Sequence, residues 1–346
     1  MVRIALLLFL LLISSDLCSQ QRSGSTKPAQ EQATPRAGEG IDSFLKRHKR
    51  TGSAYRREFL ELNKARLKGK QELQLGVRYL LPPLRSSSAS TPREATAGRI
   101  GTTLHQPLFG KANATVKVTG NRLKGACFYV VSGHGGPDPG AIGRVGKTQL
   151  HEDEYAYDVA LRLARNLMQE GAEVRIIIRD PKDGIRNDRY LRNSKRETCL
   201  DDPIPLNQTA RLRQRCAAIN GFYRKDKNAY RYCRAIFLHV DSRSKREQTD
   251  VFFYHAPDSK PGKRLAVQMN RTFESKYGRH QPNRGYSGTV DPRNLYVLRN
   301  ASPVSLFVEL GNIQNSFDQR RFVLSDNRQA LAKWMMEAFI ADYRQK

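Results

Sequence analysis

Three polar side chains stand at or just beyond the ends of apolar runs: His134 after CFYVVSG, His239 within AIFLHVDS and Glu309 within SLFVELGN. Short apolar runs of this kind read as buried strands, and in open α/β sheets sites form at the carboxyl ends of strands. A fourth candidate comes from helical phase. Ala156, Val159, Ala160, Leu163 and Leu167 share one face of a helix, Glu152 lies on that face one turn earlier, and Glu154 points the opposite way. A carboxylate heading a buried stripe is unstable unless it is paired or bound to a metal, so Glu152 is expected to meet something cationic. Two histidines and one carboxylate with an open position make a catalytic zinc shell, and a second carboxylate nearby can take the proton of a polarised water. His255, after VFFY, is an equally good third nitrogen on this reasoning. Gly133, Gly135 and Gly136 around His134 also suit a plain tight turn, and His239 also suits a satisfied core histidine.

The elements that must position these residues begin near Gly125. CFYVVS is followed by a helix over 151–170, then AEVRIII, a polar stretch, AIFLHV, VFFYH, SLFVEL and a last helix near 328–343. Apolar runs alternating with helices predict an α/β domain with a mostly parallel central sheet flanked by helices on both faces. Residues 181–207 are charged and rich in Asn and Asp, and read as a surface insertion after the AEVRIII strand.

Five words in order, SGHGGPDPGAIG, HEDEYAYDVALRLARNL, LRQRCAAIN, AIFLHVDS and VLRNASPVSLFVELGNIQN, resemble the zinc-dependent N-acetylmuramoyl-L-alanine amidases of the Amidase_3 type over about residues 125–345. The resemblance implies a phosphorylase/hydrolase-like α/β fold and hydrolysis of the amide between N-acetylmuramic acid and L-alanine in peptidoglycan. It implies Zn2+ held by His134, Glu152 and His239, with Glu309 as the catalytic carboxylate. Arg215 and Asn220 match the family's Arg-to-Ala-Asn word and are expected to brace the helix that feeds the second histidine strand. Arg299 before the Glu309 strand and Asn315 after it are candidate substrate contacts, with solvated or capping roles equally open. Ser132, Val240, Asp241 and Asn312 depart from the family's usual residues, and none of these departures removes an expected ligand. Two rival readings share the fold: a non-catalytic wall-binding protein, opposed by the full set of four site residues, and a zinc peptidase cutting within the stem peptide.

Residues 38–84 resemble a LysM module. GEGIDSFLKRH stands at the opening, FLELNK at the second helix with Asn63 in the Leu-Asn position, and LGVRYLLP at the closing strand. Glycan binding is what this resemblance implies, and a short helical hairpin packed on the larger domain is the alternative. Residues 20–37 and 85–97 have linker composition, 98–124 form a lead-in segment, and 125–346 are the expected catalytic domain. At the N-terminus Arg3 precedes an apolar run over 4–13 and then Ser14, Ser15, Ser19 and Gln20, which reads as a signal peptide over 1–19. Ten apolar residues fall short of the roughly 20 that span a bilayer, so the expectation is cleavage and a periplasmic or envelope location without stable membrane insertion. Ser15, Asp16 and Leu17 make a poor lipidation signal for Cys18.

Charge and composition bound the rest. In 346 residues an apolar share of 39% is enough for a core and excludes a wholly disordered chain. A formal charge of +27, densest in the first third, points to an anionic partner. The basic residues are not interleaved with an aromatic repeat that would stack bases, so peptidoglycan is the expected partner and nucleic acid is not. A protein regulator leaves no mark that spacing or composition reveals. Four cysteines remain after cleavage, with no CxxC pair. Cys127, in an apolar run, is expected to be a buried thiol, while Cys199, Cys216 and Cys233 could supply one bridge.

Overall fold

The computed structural model describes residues 31–50, 52–70, 72–84 and 99–346. The expected signal peptide over 1–19, most of the linker over 20–37 and the linker over 85–97 lie outside the described residues. What is described falls into two units, a smaller one of 31–50 and 58–83 and a larger one that includes 99–346.

The smaller unit is built on helices Ile41–Arg47, Ser53–Leu62 and Lys64–Leu67 and a two-stranded antiparallel ladder, Gln32–Ala33 with Tyr79–Leu80. Phe44, Phe59 and Tyr79 are fully buried, with ring centroids 5.8 to 6.3 Å apart, so three aromatic rings supply most of a very small core. Asn63 ties helix to strand: its Nδ2 donates to the carbonyls of Phe59 and Leu80 at 2.9 and 2.8 Å, and its Oδ1 accepts from the Leu80 N–H at 2.8 Å. The linker assigned to 20–37 requires a correction. Gln32–Ala33 forms a strand because its backbone pairs with Tyr79–Leu80, a long-range partner that composition does not reveal.

In the larger unit six strands form one sheet: β1 (Ala126–Ser132), β2 (Glu173–Ile176), β3 (Tyr232–Asp241), β4 (Phe252–His255), β5 (Thr289–Pro292) and β6 (Val304–Asn312), in the order β5-β4-β6-β3-β1-β2. β1, β2, β3 and β6 run parallel; β4 is antiparallel to β6 and carries β5 at the edge. The sheet is therefore mostly parallel, as expected, with a reversed edge. Every residue of β1 is buried, which suits a strand covered on both faces.

Alternation along the strands sorts the two faces. Phe128 and Val130 share a core with α1 (Glu152–Gln169), α3 (Lys260–His280) and α4 (Ser325–Arg344), while Cys127, Tyr129, Val131 and Phe237 pack with α2 (Gln208–Asp226) on the other face. The four cysteines of this unit are free thiols and all are buried, so Cys199, Cys216 and Cys233 form no bridge here.

Residues 181–207 are not merely a surface insertion, which corrects the expectation. Thr198–Cys199 and Asp202–Pro203 join Ile178–Arg179 in a small antiparallel sheet, and Leu191, Ser194, Glu197, Cys199 and Ile204 are buried. The charges that suggested solvent instead meet partners: Ser194 Oγ donates to Asp180 at 2.7 Å, and Arg186 pairs with Glu154 at 2.8 Å. Among the described residues no helix is long and apolar enough to cross a membrane.

Candidate metal centre and catalytic carboxylate

His134 follows β1 in a turn where it adopts a left-handed conformation, φ 56°. A non-glycine residue there costs about 1–2 kcal/mol, and the surrounding contacts hold it. The Arg215 guanidinium donates to the His134 carbonyl, and His134 Nδ1 lies 2.9 Å from Asp138 Oδ2, which also accepts from Arg211 at 2.7 Å. With Nδ1 engaged by a carboxylate, Nε2 is the nitrogen left to face the site.

Glu152 opens α1, and two backbone groups fix its carboxylate. Oε2 accepts from the Ala141 N–H at 2.8 Å and Oε1 from the Val240 N–H at 3.0 Å. Oε1 then lies 3.3 Å from His134 Nε2 and 2.9 Å from His239 Nδ1. His239, near the end of β3, is stacked on Phe307 of β6 with ring centroids 4.3 Å apart. The approach is close enough to require glycine at two points. A Cβ on Gly133 would sit 2.3 Å from the His239 ring, and one on Gly140 would sit 2.6 Å from Glu152 Oε2 and 2.8 Å from His134.

Glu309 is the registered partner of His239 across the parallel pair β3 and β6, and the register shifts immediately afterwards, between His239 and Asp241. Such irregularities re-aim side chains beside sites. Glu309 Oε2 is buried and has no hydrogen-bond partner among the described residues.

The electrostatics follow from burial and crowding. Burial opposes the charged form of His134, but hydrogen bonds to Asp138 and Glu152 outweigh it and raise its pKa to about 10. Burial also works against the Glu152 carboxylate, and hydrogen bonds from His134 and His239 more than offset it, holding the group below the usual carboxylate range. His239 is pushed down by burial, with the nearby His134 charge adding to the effect. Glu309 is pushed well above the carboxylate range by burial and by repulsion from Glu152 and Asp241. A site with two crowded carboxylates and a proton-holding histidine is arranged for an added cation.

His134, Glu152 and His239 each offer one donor atom within 4.8 Å of the others. In a tetrahedral shell with bonds of about 2.0–2.2 Å, neighbouring donors stand about 3.3–3.5 Å apart, close to the 3.3 Å between His134 and Glu152. The residues therefore fit a zinc ion. Beside them opens a cleft of about 270 Å³ whose lining includes His134, His239, Arg211, Arg215, Tyr296 and Phe307.

His255 is not brought to this group. It is registered with Leu306, on the face of the sheet covered by three helices, and its Nδ1 lies 2.8 Å from the Ala256 carbonyl. Arg299 is exposed on the short helix Tyr296–Asn300 and lines a separate open depression with Asp258 and Asn294. Asn315 orders the turn after β6, accepting from the N–H groups of Phe317 and Asp318 and donating to the Lys245 carbonyl. Asn220 braces α2, the helix that leads into β3, against the chain that leads into β6, donating to the Asn300 carbonyl at 2.8 Å and accepting from the Ser302 N–H at 2.7 Å. Sequence reasoning missed Asp138, whose signal was its place four residues after His134, and Phe307, whose signal was its period-two spacing from Glu309. It also missed Glu197, which accepts from the Gly136 N–H at 2.8 Å and which no local pattern marks.

Among solved structures the chain is similar to N-acetylmuramoyl-L-alanine amidase AmiC2 of Nostoc punctiforme, at 19% identity and TM-score 0.44, covering 66% of this chain and 99% of that one. It is also similar to the N-acetylmuramoyl-L-alanine amidase from Clostridium difficile 630, at 17% and 0.46 over 65% and 99% of the two chains. A third is the N-acetylmuramyl-L-alanine amidase Ami1 from Mycobacterium smegmatis, at 15% and 0.45 over 65% and 99%. No curated protein matches. Residues 129–341, which hold all four residues of the constellation, match the family described as N-acetylmuramoyl-L-alanine amidase, and the chain belongs to that Amidase_3 family.

Proposed function

We propose that this protein is an exported, Zn2+-dependent amidase that hydrolyses the lactyl amide between N-acetylmuramic acid and L-alanine in peptidoglycan. The observation that carries the reading is the convergence of His134, Glu152 and His239 beside Glu309, on the carboxyl-end edge of the sheet. Zinc, when bound by those three residues, supplies a Lewis acid that polarises an amide carbonyl and acidifies water. Asp138 holds His134 in the tautomer that presents Nε2 to the site. With a cation offsetting the repulsion from Glu152 that raises its pKa, Glu309 would accept the proton of the attacking water and return it to the leaving amine. Phe307 and Gly133 confine His239 from two sides, so its ring is in position before substrate arrives.

Arg299 is proposed to meet the substrate beyond the cleft, and Asn315 to act by ordering the turn after Glu309. The small unit over 38–84 is read as the module that holds the enzyme on peptidoglycan glycan, with residues 1–19 removed on export to the periplasm or envelope. Mass spectrometry of muropeptides after digestion tests the reading. An amidase releases intact stem peptides with a free L-alanine amine; cleavage inside the stem peptide, or no release at all, refutes it.

A further inference from the structure

Three more carboxylates meet under the turn that carries His134. Asp153 and Glu154 follow Glu152 in the first turn of α1, and Glu197 arrives from the polar segment between β2 and α2. Each offers an oxygen within 4.8 Å of the others, and all three side chains are buried.

Their partners do not balance their charge. Glu154 pairs with Arg186 at 2.8 Å and accepts from the Ser194 N–H. Glu197 Oε2 accepts from the Gly136 N–H at 2.8 Å, and Asp153 Oδ1 from the Glu154 N–H at 2.9 Å. Among the described residues no ion pair reaches Asp153 or Glu197. Asp153 is 3% exposed, and its Oδ2 is buried with no hydrogen-bond partner among the described residues. Among the described residues the one guanidinium paired within this buried group is that of Arg186, which is shared with Asp183 at 3.1 Å. Such a cluster needs a further positive charge. The donor set is all oxygen, which selects hard cations over zinc.

We propose that Asp153, Glu154 and Glu197 bind one divalent cation of the hard class, Ca2+ or Mg2+, at a site separate from the His134, Glu152 and His239 group. The ion joins the first turn of α1, which carries Glu152, to Glu197. Through the Gly136 N–H, Glu197 in turn holds the loop that carries His134. Its role is to position two zinc ligands that come from different parts of the chain. A hard cation without redox or acid chemistry is sufficient for that.

The experiment uses the full mature chain, stripped of metal, reloaded with one equivalent of Zn2+ and titrated with CaCl2 or MgCl2 by calorimetry and thermal unfolding. The expected result is one Ca2+ or Mg2+ per chain with a rise in Tm, and at least a tenfold loss of that affinity in Asp153→Asn. Glu197→Gln keeps an acceptor for the Gly136 N–H and so guards against a simple folding defect; it is expected to lose affinity as well. Glu152→Gln is expected to lose zinc and still take up the hard cation. The proposal is overturned if the zinc-loaded wild type binds neither ion, or if binding survives in both Asp153→Asn and Glu197→Gln. Asp153→Asn raising Tm in the absence of any added metal effect would assign the role to a proton on Asp153 instead.

Discussion

His239 and Glu309 are registered neighbours on adjacent parallel strands, and both fall on the side-chain parity of Phe237 and Phe307, the face of the sheet packed against α2. An imidazole ring and a buried carboxylate are thereby set side by side by the strand ladder. This placement allows the two to have separate jobs.

Glu309→Gln keeps the size of the side chain but cannot accept a proton. Turnover on peptidoglycan fragments is expected to fall about 10²- to 10⁴-fold with zinc content unchanged, the loss typical of a general base. Glu152→Gln should instead lose zinc. Metal analysis of the two purified variants beside a muropeptide release assay checks the assignment, and a Glu309→Gln protein that arrives without zinc contradicts it.

Asp138→Asn tests the support of His134. The carboxylate that fixes the Nδ1 side is replaced by an amide whose oxygen is a weaker acceptor, so zinc affinity should drop about 10- to 100-fold. Competition against a chelator of known strength measures it. An unchanged affinity would remove Asp138 from the site.

Gly133→Ala is a test of space alone, because the new Cβ would lie 2.3 Å from the His239 ring and the backbone there has no left-handed requirement. The ring must move, at a cost of about 1–3 kcal/mol of stability, and zinc retention should fall with it. Thermal unfolding and metal content read the two effects together. Gly146→Ala, where nothing lies within 4 Å of the new Cβ, controls for a general intolerance of alanine, since its left-handed φ of 57° adds strain but no collision with the site.

The metal-free and zinc-loaded proteins should respond to pH in opposite directions. His134 has its pKa raised to about 10 in the metal-free site, so its contribution to stability is complete below the ordinary histidine value of about 6.5 and is lost as pH climbs through about 10. Zinc needs the neutral ring, so its binding strengthens over the same rise. The Tm difference between the two forms is therefore expected to widen from pH 6 to pH 9. A constant difference would mean that no proton leaves His134 on loading.

Asn63→Leu separates the two units by function. It removes the two hydrogen bonds that tie the helix end to Leu80 of the closing strand and leaves the Leu80 N–H and carbonyl without these partners, at about 1–3 kcal/mol for each group stranded, while the Phe59 carbonyl keeps its backbone donor. Co-sedimentation of the full chain with purified peptidoglycan should weaken, while hydrolysis of soluble fragments continues. Undiminished sedimentation would take the wall-holding role away from the small unit.

What the residues determined by themselves is what depends on local periodicity. Apolar runs marked the strands, helical phase put Glu152 on the apolar stripe of α1, and the Amidase_3 words ordered His134, His239 and Glu309. Each of these is a property of a few consecutive residues, set by a repeat of 2 or about 3.6. The tertiary structure decided what depends on pairing between distant segments. That Glu154, on the other side of α1, is buried as well was decided by the polar segment that packs there. His239 and His255 are equivalent by pattern, and only the register of β4 against β6 puts His255 on the opposite face. Glu197 lies 61 residues from Gly136 and meets it because the polar segment folds back under the His134 turn. Gln32–Ala33 becomes a strand only when Tyr79–Leu80 is beside it. Local repeats say which side of an element is apolar, whereas the choice of neighbour is settled by how all the elements pack at once, and that is why the partners were hidden while the candidate site residues were not.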